Sequence, residues 1–291
     1  MVCDDALGII GGSGIYNIDG LTDVSEITME TPFGKPSDVI RTGKIGNLRV
    51  AFIPRHGLHH NYLPTEVPYK ANIWALKSIG VKWILSCSAV GSLSEHIKPR
   101  DIVLCDQFID RTTQRPLSFF GNGIVGHVSM AEPFSPELIT LLSDSIRPIL
   151  PNDKTLHTSG TYLCMEGPSF STKAESNLYQ SWGCSVIGMT NHTEARLTKE
   201  AEIAYVCMAM ITDYDCWHSS HEAVSVDMVI DNLRQNSSLA KDVIVRFANA
   251  LDTVRPVCNS HTAAKHAIMT SREYIPENTR NNVEILFGKY I

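Results

Sequence analysis

The chain has 291 residues, 25 Lys+Arg against 31 Asp+Glu, a net charge of −6 and 43% hydrophobic residues. This is a globular composition, long enough to bury a core without disulfide or metal staples. The acidic balance argues against nucleic acid and against an anionic membrane surface as partners.

Taken in chain order, the apolar run 6–10 reads as a buried first strand that stops at Gly11-Gly12-Ser13-Gly14. Residues 49–53 read as a second strand, closed by Pro54. The spacing of Tyr69, Ile73, Leu76 and Ile79 predicts a helix over 65–79, with Thr65 able to cap it. A β-branched strand over 81–87 is followed by a small-residue loop over 88–92, and a further strand is expected over 101–108. Ser135-Pro136-Glu137 opens a helix running to about Leu150. Strands over 161–165, 184–189 and 203–211 alternate with helices over 171–182 and 193–201, and a long amphipathic helix covers about 225–251. The fold class is α/β, one domain over 1–291 with a central mixed sheet flanked by helices and a catalytic core of about 6–252. The tail 253–291 loses the alternation and is read either as loosely ordered or as contacting a neighbouring subunit.

The eight cysteines (3, 87, 105, 164, 184, 207, 216 and 258) form no C-x-x-C pair, so a zinc ribbon or thioredoxin motif is not expected. Several lie in apolar runs, where a reduced thiol packs as a small hydrophobe; a cytoplasmic location is expected. The N-terminus lacks the basic segment of a signal peptide, and no apolar run approaches 18 residues.

Ligands of open α/β sheets sit beyond the carboxyl ends of the strands, and here those ends carry the chemistry. The glycine loop with Ser13 can nest an oxyanion, or can serve as a tight turn only. It matches neither the dinucleotide fingerprint, because Asn17 stands at the third glycine position, nor the phosphate P-loop. Arg55 offers a planar fork of donors suited to phosphate, and Ser88 and Thr190 end apolar strands with hydroxyls. Ser13, Arg55, Ser88 and Thr190 together suit one tetrahedral anion. His56, His59 and His60 lack accompanying carboxylates or cysteines, so no metal site is expected. Asp213 and Asp215 emerge at i and i+2 from a buried strand. Crowded, partly desolvated carboxylates have raised pKa values, so one can stay protonated as a general acid or read an amino group and a ring nitrogen; alternatively Asp215 caps the next element.

These loops resemble those of the methylthioadenosine phosphorylases, a group within the trimeric purine nucleoside phosphorylases. The resemblance runs over about 6–235 through GIIGGSGIY, ETPFGKPSD, PRHG, SAVGSL, DQFIDRTTQRP, MAEPFSP, MEGPSFST and TDYDCW. It implies cleavage of 5′-methylthioadenosine by inorganic phosphate, a co-substrate, with no cofactor, in a homotrimer serving purine and methionine salvage. It assigns phosphate binding to Ser13, Arg55, His56, Ser88, Ala89 and Thr190. The purine falls to Phe170, Ser171, Asp213 and Asp215, with protonated Asp213 supplying N7 of the leaving adenine. The ribose and methylthio group fall to Met189, Val226 and Val229, with His127 supplied by the neighbouring subunit. Ser169 and Thr193 depart from the family pattern, which often has arginine and proline there. A broader purine nucleoside phosphorylase acting on adenosine or inosine is the alternative enzyme; a non-catalytic nucleoside-binding module is the alternative of a different class.

Overall fold

A computed structural model describes residues 5–12, 15, 18, 20–218 and 226–291, with the backbone alone over 226–236. Its strands are β1 (Ala6–Gly11), β2 (Thr22–Ile27), β3 (Ile40–Ile45), β4 (Leu48–Pro54), β5 (Val81–Ser92), β6 (Ile102–Leu104), β7 (Gln107–Arg111), β8 (Leu156–His157), β9 (Thr161–Met165), β10 (Val186–Gly188) and β11 (Ala204–Asp213). The helices are α1 (Tyr69–Ser78), α2 (Pro136–Ile146), α3 (Lys173–Ser181), α4 (Asn191–Glu200), α5 (Val226–Val254) and α6 (Glu277–Phe287).

All eleven strands join one mixed sheet with the main order β2-β3-β4-β1-β5-β10-β9-β7. The sheet forks at β5. Residues Trp83–Gly91 of that strand pair in parallel with β11, while its last two residues, Gly91 and Ser92, pair antiparallel with β10. β6 continues the sheet from β11, and β8 from β6. Central strands are buried on both faces, and their side chains alternate between two cores as a period of two requires. In β11, Tyr205, Cys207, Ala209 and Ile211 face one core, which α1, α4 and α6 close. Ala204, Val206, Met208 and Met210 face the other, closed by α2 and α5.

The structure corrects several expectations. The segment 88–92 is not a loop but the end of β5, because its small side chains let three strands crowd one place. The single strand expected over 101–108 is two. At Asp106 the chain leaves the β11 edge for the β9 edge; its N–H donates to Gly160 O, and its carboxylate accepts from the Gly160 N–H. Thr65 does not cap α1, which starts after Pro68; its hydroxyl donates to Glu166 instead. Helix α3 begins at Lys173 because Thr172 and Glu175 form a reciprocal capping box. In the tail, α6 buries Val283, Leu286 and Phe287 in its own chain's core, and Trp74 of α1 donates to Asn282 O. The loosely ordered alternative for this stretch is therefore set aside. Polar residues between its apolar positions hid the helix from the sequence reading.

Candidate active site

Two strand ends, Gly11 of β1 and Pro54 of β4, meet at Arg55. Its N–H donates to Gly11 O, extending the β1–β4 pairing by one step. Its side chain is 5% exposed. Nε bonds Glu194 Oε1, Nη2 reaches Glu194 Oε2 at 3.2 Å and Ser86 Oγ at 2.7 Å, and Nη1 reaches Cys87 O at 3.2 Å. Four of the five N–H groups are thus committed to the protein. Glu194 Oε2 also accepts from the Ser86 and Tyr205 hydroxyls, both at 2.8 Å. The fork that the sequence offers to phosphate is therefore mostly spent on a buried ion pair, which ties β4, β5, β11 and α4 together. Burial opposes the charge on Arg55, and the Glu194 carboxylate more than restores it, so the guanidinium stays charged.

This arrangement gathers the other anion candidates. Ser88 follows Cys87, whose carbonyl holds Arg55, and Ala89 follows Ser88. Thr190 stands one turn before Glu194 as the N-cap of α4, yet its side chain makes no capping bond. A buried hydroxyl thus stands at the N-terminal, electropositive end of a ten-residue helix, one turn before Glu194. His56 follows Arg55. Its Nδ1 is 2.9 Å from Tyr62 O, a carbonyl that can only accept, so the ring carries its proton there and Nε2 is an acceptor. Burial, with the Arg55 charge next, pushes His56 down to about 4, so the ring is neutral at pH 7. Ser13 lies outside the described residues.

The second feature is at the fork of the sheet. Asp213 ends β11 opposite Gly91 of β5. A Cβ on Gly91 would stand 3.0 Å from Asp213 Oδ1, 3.1 Å from Ile187 Cγ2 and 3.4 Å from Asp215 Cβ, so the glycine makes room for the carboxyl pair. The two are not successive same-side strand residues, as i, i+2 spacing suggests. The strand stops at Asp213, and Asp215 takes a left-handed φ of 51° in a 3-10 turn. That turn brings the Asp215 N–H to Asp213 Oδ1 at 2.8 Å, while the Thr212 hydroxyl donates to Oδ2 at 2.7 Å. Asp213 is 6% exposed. Burial raises its pKa despite these two donors, and burial raises that of Asp215 too. Asp215 Oδ2 is buried without a hydrogen-bond partner among the described residues, as an acceptor awaiting a donor would be.

The third feature is the pair of loops that carry Met189 and Phe170. Met189 follows β10, and Gly167 (φ 71°) packs on it so closely that a Cβ would stand 2.6 Å from its sulfur. Ser171 is buried and accepts from the Cys216 thiol through its carbonyl at 3.2 Å, which ties the 171 loop to the aspartate turn. Phe170 is 46% exposed, open to a ligand. Val226 and Val229 lie on α5, with side chains outside the described residues. His127 is exposed, and its N–H donates to Ala267 O; among the described contacts none joins it to the other site residues of its own chain.

Glu194 and Arg115 escaped the reading of single motifs. For Glu194 the signal was available: a carboxylate one helical turn after a strand-end threonine faces the same corner as that threonine. Arg115 sits in a loop with no periodicity, and its partners are distant in sequence. It donates to Tyr69 Oη, Met189 O, Glu166 O and Glu166 Oε1 at 2.7–2.9 Å.

Chemically, the site offers hydroxyls, a neutral imidazole and the last N–H of an ion-paired guanidinium for an oxyanion. It offers a protonatable carboxyl for a leaving base, and the Met189 side chain packed against Gly167.

The sequence model of the phosphorylase superfamily matches residues 6–249. The S-methyl-5′-thioadenosine phosphorylase of Prochlorococcus marinus is 54% identical over 98% of this chain and 90% of its own. The crystal structure of a methylthioadenosine phosphorylase from an antarctic soil metagenomic library is 45% identical, with a TM-score of 0.93 over 98% of this chain and 99% of that one. A methylthioadenosine phosphorylase from Schistosoma mansoni, in complex with adenine, is 34% identical, with a TM-score of 0.80 over 86% of this chain and 92% of that one. With its fold and nearly its whole length matched, the chain belongs to the phosphorylase superfamily.

Proposed function

We propose that this protein cleaves the N-glycosidic bond of 5′-methylthioadenosine with inorganic phosphate, releasing adenine and 5-methylthioribose 1-phosphate. The observation that carries the reading is Asp213: a buried carboxyl with raised pKa, both oxygens already accepting, whose own proton is its one remaining donor.

Breaking a glycosidic bond builds positive charge on the sugar and negative charge on the leaving base. Asp213 protonates adenine N7 as the base departs, and the unpartnered Asp215 Oδ2 accepts from a purine N–H. An aspartic acid favours a 6-amino purine, because it can accept from the amino group and donate to N7. Phosphate at Arg55, Ser88, Ala89, Thr190 and Ser13 is both nucleophile and counter-charge to the sugar cation. His56 Nε2, an acceptor, takes the O–H of hydrogenphosphate. No cofactor enters the reaction. Met189 lies along the ribose, and Val226 and Val229 line the 5′ group. The exposed position of His127 supports a homotrimer in which each subunit completes its neighbour's site. The cysteines within apolar runs support action in the cytoplasm.

The test is adenine release by the purified chain at varied phosphate. Release that saturates with phosphate is expected, and none with phosphate present refutes the proposal. Comparing kcat/KM for methylthioadenosine, adenosine and inosine distinguishes the broader purine nucleoside phosphorylase.

A further inference from the structure

Arg115 has no role in the chemistry above, yet it makes four hydrogen bonds from a buried position. Its side chain is wholly buried. It leaves the loop after β7, and β7, β9 and β10 are consecutive parallel strands. The first residue beyond β9 is Glu166, and the first beyond β10 is Met189. One guanidinium therefore holds the backbone at the carboxyl ends of two neighbouring strands. Nη2 donates to Glu166 O at 2.7 Å, and Nη1 to Met189 O at 2.8 Å. Nη1 also donates to Tyr69 Oη at 2.8 Å, and Nε to Glu166 Oε1 at 2.9 Å.

Its partners are themselves fixed. Tyr69 Oη donates to Pro64 O at 2.8 Å. Glu166 accepts from Thr65, from the Thr113 N–H and hydroxyl, and from the Gln114 N–H. Burial would raise the pKa of Glu166, but these donors bring it to about 2, so it is ionised at any working pH. The pair is only half enclosed, Arg115 wholly buried and the Glu166 side chain 24% exposed, so its net stability is small while the planar fork fixes its partners' geometry. What this pair specifies is the relative position of the 166–167 backbone and Met189, whose side chain packs against Gly167.

We infer that Arg115 is a positioning residue for the nucleoside, holding Met189 where the ribose rests. It acts on the sugar through Met189 and touches no reacting atom. Lysine cannot replace it, since a point charge on a flexible stem cannot hold two carbonyls, a phenol and a carboxylate at once.

The inference rests on the proposed phosphorolysis, so the wild-type chain is assayed first; a wild type without phosphate-dependent adenine release counts against that reading and not against Arg115. With wild-type turnover in hand, R115K raises the KM for methylthioadenosine by about tenfold or more, while the KM for phosphate moves by less than about threefold. In an M189A background, where the floor is already lost, R115K has little further effect. Y69F, which removes one acceptor and leaves the buried ring, shifts the methylthioadenosine KM the same way by about threefold; it carries the test if R115K does not fold. A methylthioadenosine KM within about twofold of wild type in R115K, or in Y69F if R115K is unfolded, overturns the inference. So does independent multiplication of the R115K and M189A effects.

Discussion

Asp213→Asn isolates the proton from the shape. Asparagine keeps the planar group and its volume. Its amide oxygen can still accept from the Asp215 N–H, now 2.8 Å from Asp213 Oδ1. Its NH2 then faces Thr212 Oγ1, which can turn to accept while donating to Val90 O, 3.2 Å away. Folding should therefore change little. What is lost is the ability to hand a proton to N7, because an amide N–H can donate a hydrogen bond but not transfer. General acid catalysis is worth about 10²–10⁴ in rate, so kcat/KM for methylthioadenosine should fall by roughly that factor, about 3–5 kcal/mol of transition-state stabilisation. The preference should also shift, because a 6-oxo purine accepts from the new NH2 where a 6-amino purine cannot. A third consequence is in pH. A raised carboxyl pKa means the working acid is lost as pH climbs through that value, so wild-type kcat/KM falls on the alkaline side and the variant's profile loses that limb. The assay is adenine or hypoxanthine release from the 5′-methylthio nucleosides across pH at saturating phosphate. A variant within about threefold of wild type, with the same base preference and the same alkaline limb, would refute the role of Asp213 as acid.

Thr190→Val removes a hydroxyl that makes no capping bond, so denaturant unfolding should be unchanged while the KM for phosphate rises by about tenfold, the worth of one hydrogen bond to an anion. Glu194→Gln leaves the Arg55 charge buried beside a neutral amide; equilibrium unfolding should show a loss of about 3 kcal/mol, and an unaltered midpoint would mean that the ion pair is not structural. For His56, the folded pKa of about 4 lies below the unfolded value of about 6.5, so its contribution to stability is present above 6.5 and lost as pH falls toward 4. The loss over that window is up to roughly 3 kcal/mol, and a pH series of unfolding curves should flatten there in His56→Gln.

Much of the site was legible from residue type and place. Phosphate donors and purine-reading carboxyls sit at strand ends, and strands announce themselves by apolar β-branched runs that stop at glycine, proline or hydroxyl residues. Thus Thr161–Met165 is a strand at both levels, and Asp213 closes a run whose ten residues are all buried. Local physics suffices there, because the pattern and the burial have the same cause. The motifs around Arg55 and Asp213 pointed to the family by resemblance alone.

Sequence alone could not say what each group does once folded, because that depends on partners far along the chain. Arg55 reads as an open fork, and only the fold brings Glu194 to it across 139 positions. Strand β5 reads as ending at Cys87, and only the crowding of β10 and β11 shows why small residues carry it on to Ser92. The carboxyl pair finds its room beside Gly91, whose place opposite Asp213 only the pairing of β5 with β11 reveals. In each case the deciding energy is long-range: an ion pair withdrawn from water, a strand fork that favours small side chains, a carboxyl buried at that fork.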